Sequence, residues 1–141
     1  MKSKINEVTM AHPLNLNEEG VAIQGYDPVS YFTDASPKLG DSNLSSTYEG
    51  AVYYFSSETN KSAFDRNPSQ YVPQYGGFCA VAVSEGKKFP VDPNTYKVTD
   101  EKLYLFYNGE LGNTKPQWEE DEANRRANAD AHWEKGDLVA G

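Results

Sequence analysis

Apolar and aromatic residues lie in short blocks that are separated by polar, turn-forming segments. Four blocks have the β-branched and aromatic composition of strands, namely residues 48–55, 78–83, 96–98 and 103–107. The block 78–83 is apolar on both faces, so we expect a central strand there. Asp100 and Glu101, between the last two blocks, predict a tight hairpin.

Helix-terminating residues predict two main helices. Ser56 or Ser57 can cap a helix that continues to Arg66, where Asn67-Pro68 stops it. A second helix is predicted over residues 116–134, because its first turns are acidic and a glycine follows its end.

Asp27 before Pro28 predicts a capped helical turn at residues 29–32. Strands and helices thus follow one another in a mixed order, without a repeated βαβ pattern. We therefore expect an α+β fold in which a small antiparallel sheet is packed by short helices and a C-terminal helix.

The length of 141 residues fits one domain. We predict a flexible N-terminal arm at residues 1–13, the domain at 14–135 and a C-terminal tail at 136–141. The first ten residues lack the apolar core of a secretory leader, and no segment has the length of a membrane span. The chain as it stands is expected to be soluble and cytoplasmic, without membrane insertion; removal of a leader would instead make it periplasmic or exported.

Composition narrows the classes of function. The formal net charge is -8, which disfavours nucleic acid as a partner because phosphate backbones are anionic. Apolar residues make up 38% of the chain, yet it contains ten tyrosines, six phenylalanines and two tryptophans. This predicts an aromatic core with tyrosine hydroxyls left over for a pocket.

The candidate binding residues combine aromatic walls with a carboxylate and a thiol. Small-ligand pockets commonly have this composition. The alternative is that the carboxylate only caps its helical turn and the rings only pack in the core. The predicted ligand-binding residues are Tyr26, Asp27, Tyr75, Cys79 and Tyr107.

Cys79 is the only cysteine, and it follows Gly76-Gly77, which lets the backbone approach a ligand closely. It could equally be a small buried hydrophobe. A metal site would draw on Cys79 and His132, with oxygen donors completing it, and a homodimer could supply two copies of each. Since His132 lies near a predicted helix C-terminus, a capping role is the alternative.

Three separated motifs resemble the YHS domain, over residues 14–133. They are Gly25-Tyr26-Asp27-Pro28-Val29-Ser30-Tyr31-Phe32, Tyr75-Gly76-Gly77-Phe78-Cys79-Ala80 and Leu103-Tyr104-Leu105-Phe106-Tyr107-Asn108. The segment Tyr53-Tyr54-Phe55-Ser56 also matches the general pattern of the domain. The resemblance implies binding of a transition-metal ion such as Cu or Zn, or of a small ligand, and it implies no reaction. The family's cysteines would fall on Ser30, Ser56 and Asn60. Because none of the three is a thiol, we predict that they form no Zn(II) or Cu(I) site.

The sequence therefore favours a non-catalytic YHS-like protein that binds a metal ion or a small ligand. One alternative is a thiol-dependent redox or catalytic protein that uses Cys79. The other is a structural interaction module without a ligand.

Overall fold

The computed structural model describes residues 12–141, and over these residues the fold is α+β, as predicted. Most of the predicted N-terminal arm, residues 1–11, lies outside the described residues. The helices are α1 (Ser30–Thr33), α2 (Glu58–Arg66), α3 (Pro68–Tyr71), α4 (Ala80–Ser84), α5 (Lys115–Glu120) and α6 (Glu122–Lys135). The strands are β1 (Asp41–Tyr48), β2 (Ala51–Phe55), β3 (Lys87–Lys88), β4 (Asp92–Thr99), β5 (Lys102–Phe106), β6 (Asn108–Gly109), β7 (Gly112–Asn113) and β8 (Val139–Ala140).

The described strands pair two by two. β1 with β2, β4 with β5, and β6 with β7 are antiparallel, whereas β3 and β8 form a short parallel pair. The predicted hairpin at Asp100 and Glu101 is confirmed, because these residues join β4 to β5 and both have the positive φ that a tight hairpin turn requires. Leu103, Leu105 and Phe106 of β5 are fully buried, so this strand lies in the centre of the core.

The prediction of a single strand over residues 48–55 was wrong. β1 ends at Tyr48 and β2 begins at Ala51, and the two strands pair with Tyr48 opposite Ala51. Glu49 and Gly50 form the turn, with φ of 51° and 90°. A polar residue followed by glycine, here Glu49-Gly50, is compatible with a two-residue hairpin turn. The strand-forming residues on both sides made the segment resemble one continuous strand.

The prediction of a central strand over residues 78–83 was also wrong, since these residues lead into helix α4. The Val83 N–H donates to the Cys79 carbonyl at 3.0 Å, which is a helical hydrogen bond. Every residue of α4 is buried, and the helix packs against α6. A short apolar run that is buried on all sides has the same hydrophobic pattern in either conformation, so packing decides between them.

The helix after Ser57 is confirmed, because the Ser57 side chain accepts a hydrogen bond from the Asn60 N–H at the start of α2. The predicted C-terminal helix is divided at Asp121 into α5 and α6. Gly136 ends α6 in the left-handed conformation, with φ of 70°. No helix among residues 12–141 combines the length and the apolar character needed to cross a membrane.

The inner face of α6 carries charged side chains as well as apolar ones. Its buried or half-buried residues recur every three or four positions, at Glu122, Arg125, Arg126, Ala129, His132 and Trp133. Arg126 donates to Asp100, and Lys97 pairs with Glu122 at 2.6 Å. Ion pairs therefore help to fix α6 on the hairpin β4–β5.

Candidate functional site

A cavity of about 500 Å³ opens between the β1–β2 turn, the segment before α4 and the end of α6. This volume lies within the range of small-molecule sites. The residues that line it come from four separate parts of the chain. They are His12, Leu14, Tyr48, Glu49, Tyr53, Val72, Pro73, Gln74, Tyr75, Gly76 and Trp133.

The hairpin β1–β2 supplies one wall. Tyr48 pairs with Ala51 across the turn, and Tyr53 lies two residues further along β2, so both tyrosines project from the same face of the hairpin. Burial raises the pKa of the Tyr53 phenol, and the nearby Glu49 carboxylate and Tyr48 raise it further. At neutral pH this wall therefore presents uncharged phenol rings with one exposed carboxylate, that of Glu49.

The opposite wall depends on an unusual backbone at Tyr75-Gly76-Gly77, where φ is positive at all three residues. Such a conformation is costly for a tyrosine, and the fold compensates by a hydrogen bond from the Tyr75 hydroxyl to Asp130 Oδ1 at 2.7 Å. Burial raises the pKa of the Tyr75 phenol, and the hydrogen bond to Asp130 acts in the same direction. Tyr75 is thereby held against α6 as a neutral ring.

Trp133 and His12 complete the cavity. Their rings stack, with centroids 4.4 Å apart, and the Tyr75 ring meets Trp133 edge-on at 6.2 Å. A Cβ atom on Gly76 would lie 2.9 Å from Trp133 Cη2 and would meet the Pro13 carbonyl. Glycine at position 76 is therefore required for this approach.

The cavity can hold a small, partly apolar molecule by ring contacts and can neutralise a positive charge at Glu49. His12 is the only side chain among the described lining residues that can itself become positively charged. Among the described lining residues, an anionic ligand would find no lysine or arginine to pair with.

The five predicted ligand-binding residues do not all meet at this cavity. Tyr75 lines it, whereas Tyr26, Asp27, Cys79 and Tyr107 are not among its lining residues. The Tyr26 hydroxyl accepts a hydrogen bond from the Asn94 side chain at 3.3 Å. The prediction that each of the five contacts a ligand remains a prediction.

Cys79 and Tyr107 are brought together through Thr114. The Cys79 sulfur lies 3.4 Å from Thr114 Oγ1, and that hydroxyl donates to the Tyr107 carbonyl at 3.0 Å. Cys79 is only 1% exposed and precedes α4 rather than lying on a strand. Its surroundings are those of a thiol packed in the core.

The predicted metal residues have different partners. His132 Nδ1 lies 3.0 Å from Asp137 Oδ1, and Cys79 contacts Thr114. Among residues 12–141, no group of three or more histidine, cysteine, aspartate and glutamate residues is arranged to hold a metal ion. The roles of Cys79 and His132 as metal ligands stay predictions.

Asp27 lies at the centre of the positions where the resemblance would put cysteines. The carboxylate is fully buried, and its Oδ2 atom accepts from the Ser56 N–H, the Ser56 hydroxyl and the Asn60 amide, each at 2.8 Å. Its Oδ1 atom accepts from the Val29 N–H at 2.8 Å, but α1 begins at Ser30 with Val29 as its N-cap, so Asp27 fixes the turn before the helix rather than capping it as predicted. The Ser30 hydroxyl donates to the Asp27 carbonyl at 2.6 Å.

This Asp27 cluster does not fit a soft metal ion. Asn60 directs an N–H donor, not a lone pair, towards the centre, and the Ser56 hydroxyl donates to the same oxygen. Zn(II) and Cu(I) sites of this kind need thiolate or imidazole ligands. Hydrogen bonds to Asp27 thus connect Ser30, Ser56 and Asn60, the positions at which the resemblance would put cysteine ligands.

Sequence reasoning missed Tyr48, Glu49 and Trp133 as cavity residues. The available signal was Glu49-Gly50, because a hairpin turn there aligns Tyr48 with Tyr53 on one face. Trp133 had no local signal beyond its place in a helix, since its contact with Tyr75 joins residues far apart in the chain.

In a comparison with known protein families, residues 29–75 match the model of the YHS domain. No curated protein and no solved structure matches the chain. The matched segment extends from the Asp27 cluster through β1, β2, α2 and α3 to the cavity residue Tyr75. Residues 29–75 of the chain are therefore similar to the YHS domain, in agreement with the resemblance of the sequence motifs.

Proposed function

We propose that the protein is a non-catalytic binding protein whose ligand is a small organic molecule held in the cavity between Tyr53, Tyr75 and Trp133. The observation that carries the proposal is the cavity itself, about 500 Å³ in volume and walled by aromatic side chains. Its size and composition are those of small-molecule sites.

The backbone around the cavity supports the same proposal. Tyr75 keeps a left-handed conformation outside any two-residue hairpin, and the neighbouring Gly76 lets Trp133 come within contact distance. Strained residues of this kind occur preferentially at ligand sites, where the surrounding structure holds them in place. A wall fixed before binding reduces the entropy lost when a ligand is bound.

A resident metal ion has only the family resemblance in its favour. Cys79 and His132 have separate partners, and the Asp27 cluster directs hydrogen-bond donors towards its centre. Thiol chemistry at Cys79 lacks the exposed, electropositive surroundings of a reactive cysteine. We therefore put an organic ligand first; the possible homodimer and the cellular compartment remain predictions.

A titration with three simple probes tests the proposal. Phenol, choline and benzoate represent neutral, cationic and anionic ligands, and amide chemical shifts would be followed by NMR. We expect at least one probe to shift the amides of Tyr53, Tyr75 and Trp133 together, with saturation at millimolar concentration or below. Trp133→Ala, which removes one wall, should weaken that response.

The matched control for Trp133→Ala is Leu111→Ala, because Leu111 is an exposed apolar residue outside the cavity. Leu111→Ala should leave the response unchanged. The proposal would be overturned if none of the three probes shifted the cavity amides, or if the shifts were spread over the surface without saturating.

A further inference from the structure

We infer that the cavity selects small organic cations, such as quaternary or methylated ammonium groups, over neutral molecules of the same shape. This inference rests on the proposed function, since it names the ligand class of the same cavity. It depends on the charge of the walls, on the number of ring faces and on their rigidity.

Apart from the imidazole of His12, the charged groups at the described cavity walls are negative. Glu49 is the carboxylate among the lining residues, and no described lining residue is a lysine or an arginine. Asp130, just behind the Tyr75 ring, adds a second negative group through its hydrogen bond to the phenol. The whole chain carries a formal net charge of -8, so its field also attracts cations.

The aromatic lining suits a cation because four tyrosine and tryptophan residues border one space. Tyr48, Tyr53, Tyr75 and Trp133 all line the cavity. The face of an aromatic ring is negative and attracts ammonium groups, most strongly for tryptophan. The phenol of Tyr75 donates its proton towards Asp130, which increases the electron density of the ring.

These rings are already in position without a ligand. Tyr53 and Tyr75 are 5% and 4% exposed, and Trp133 is fixed between His12 and Tyr75. A weakly hydrated quaternary ammonium group loses little hydration on entering such a site, whereas a compact, strongly hydrated ammonium group loses more. The geometry therefore favours alkylated over primary ammonium ions.

Choline and 3,3-dimethylbutan-1-ol form the decisive pair of probes, because the second replaces the trimethylammonium nitrogen of the first by carbon and has no charge. We expect choline to bind about tenfold more tightly, which is the usual size of a partly desolvated cation–π preference. Isothermal titration or NMR shifts of the full-length protein would measure both affinities.

Glu49→Gln separates the carboxylate from the rings. It should weaken choline binding by about three- to tenfold and leave the neutral alcohol unaffected. Glu58→Gln is the matched control, since Glu58 is an exposed glutamate at the start of α2 outside the cavity. The control should bind choline like the unmodified protein.

The outcomes distinguish the two proposals. Equal affinity for choline and the alcohol would overturn the inference and leave the binding function standing. Failure of choline, the alcohol, phenol and benzoate alike would overturn the proposed function itself. Choline binding that survives both Glu49→Gln and Trp133→Ala without change would mean that the cation binds elsewhere, which also overturns the inference.

Discussion

At the scale of single residues, the buried carboxylate of Asp27 connects three parts of the fold. Its two oxygens accept four hydrogen bonds, and these join α1, the end of β2 and the start of α2. A buried carboxylate is tolerated only when its lone pairs are satisfied in this way.

Asp27→Ala should therefore destabilise the protein strongly. Removal of the carboxylate leaves the Ser56 hydroxyl, the Asn60 amide and two backbone N–H groups without their acceptor, at a cost of about 3 kcal/mol or more. Urea unfolding followed by circular dichroism would measure the free energy of unfolding.

Asp41→Ala is the matched control for this substitution. Asp41 is exposed, and the hydrogen bond that its carboxylate accepts is from the Asn43 N–H. We expect a loss of about 0.5 kcal/mol there. Equal losses for Asp27→Ala and Asp41→Ala would contradict the assigned role of Asp27.

Cys79→Ser tests whether the thiol belongs to the binding site or to the core. Serine would find a hydroxyl partner in Thr114, so the free energy of unfolding should fall by only about 1 kcal/mol. Choline affinity of the folded variant should not change, because Cys79 does not line the cavity. Titration of choline into the folded variant would measure this, and a clear loss of affinity would return Cys79 to the site.

At the scale of elements, the sequence predicted the helices and hairpins whose ends are marked by capping or turn-forming residues. Ser57 and Arg66 bound α2 by local capping and by a following proline, and Asp100-Glu101 marks its hairpin. The segment 80–84 could not be assigned in the same way. Its apolar run is compatible with either conformation, and its helical form depends on packing against α6.

The turn at residues 75–77 is the element on which the cavity wall depends, and Gly76→Ala should disrupt it. The substitution combines a left-handed φ of 63° with a collision against Trp133 and the Pro13 carbonyl. We expect a loss of about 3 kcal/mol in the free energy of unfolding and a loss of choline binding in the folded fraction.

Gly136→Ala separates strain from collision. Gly136 has a similar φ of 70°, but nothing lies within 4 Å of the position that a Cβ would take. Its substitution should cost about 1 kcal/mol and leave choline binding unchanged. Similar effects of the two substitutions on both measurements would mean that the close approach at Gly76 is unimportant.

At the scale of the whole molecule, the cavity could be predicted from the sequence only in part. Tyr75 is predicted from the sequence as one of the aromatic wall residues, and it does line the cavity. Tyr48, Trp133 and His12 could not be assigned to it, because the cavity exists only when the β1–β2 hairpin and the end of α6 have been brought together. Such contacts are properties of packing and leave no local pattern.

The buried tyrosines predict how stability depends on alkaline pH. Burial raises the pKa of Tyr31, whose hydroxyl donates to the Pro93 carbonyl at 2.6 Å, and burial likewise raises those of Tyr53 and Tyr75. A phenol in the unfolded chain ionises near pH 10. Above that pH the folded state holds protons that the unfolded state has lost, so the stabilisation, complete below pH 10, decreases as the pH rises towards the raised pKa values.

Each such tyrosine should lower the free energy of unfolding by about 1.4 kcal/mol per pH unit above pH 10. Tyr31→Phe removes one of these groups, so above pH 10 the free energy of unfolding of the variant should fall less steeply with pH, by about 1.4 kcal/mol per pH unit. At neutral pH the variant should be less stable by about 1 kcal/mol, because the hydrogen bond to the Pro93 carbonyl is lost. Urea unfolding at several values between pH 9 and 11.5 would give both slopes, and phenolate absorbance should appear together with unfolding. Identical slopes for Tyr31→Phe and the unmodified protein would show that Tyr31 ionises as readily in the folded state as in the unfolded one, and its burial would then have no part in the response to alkali.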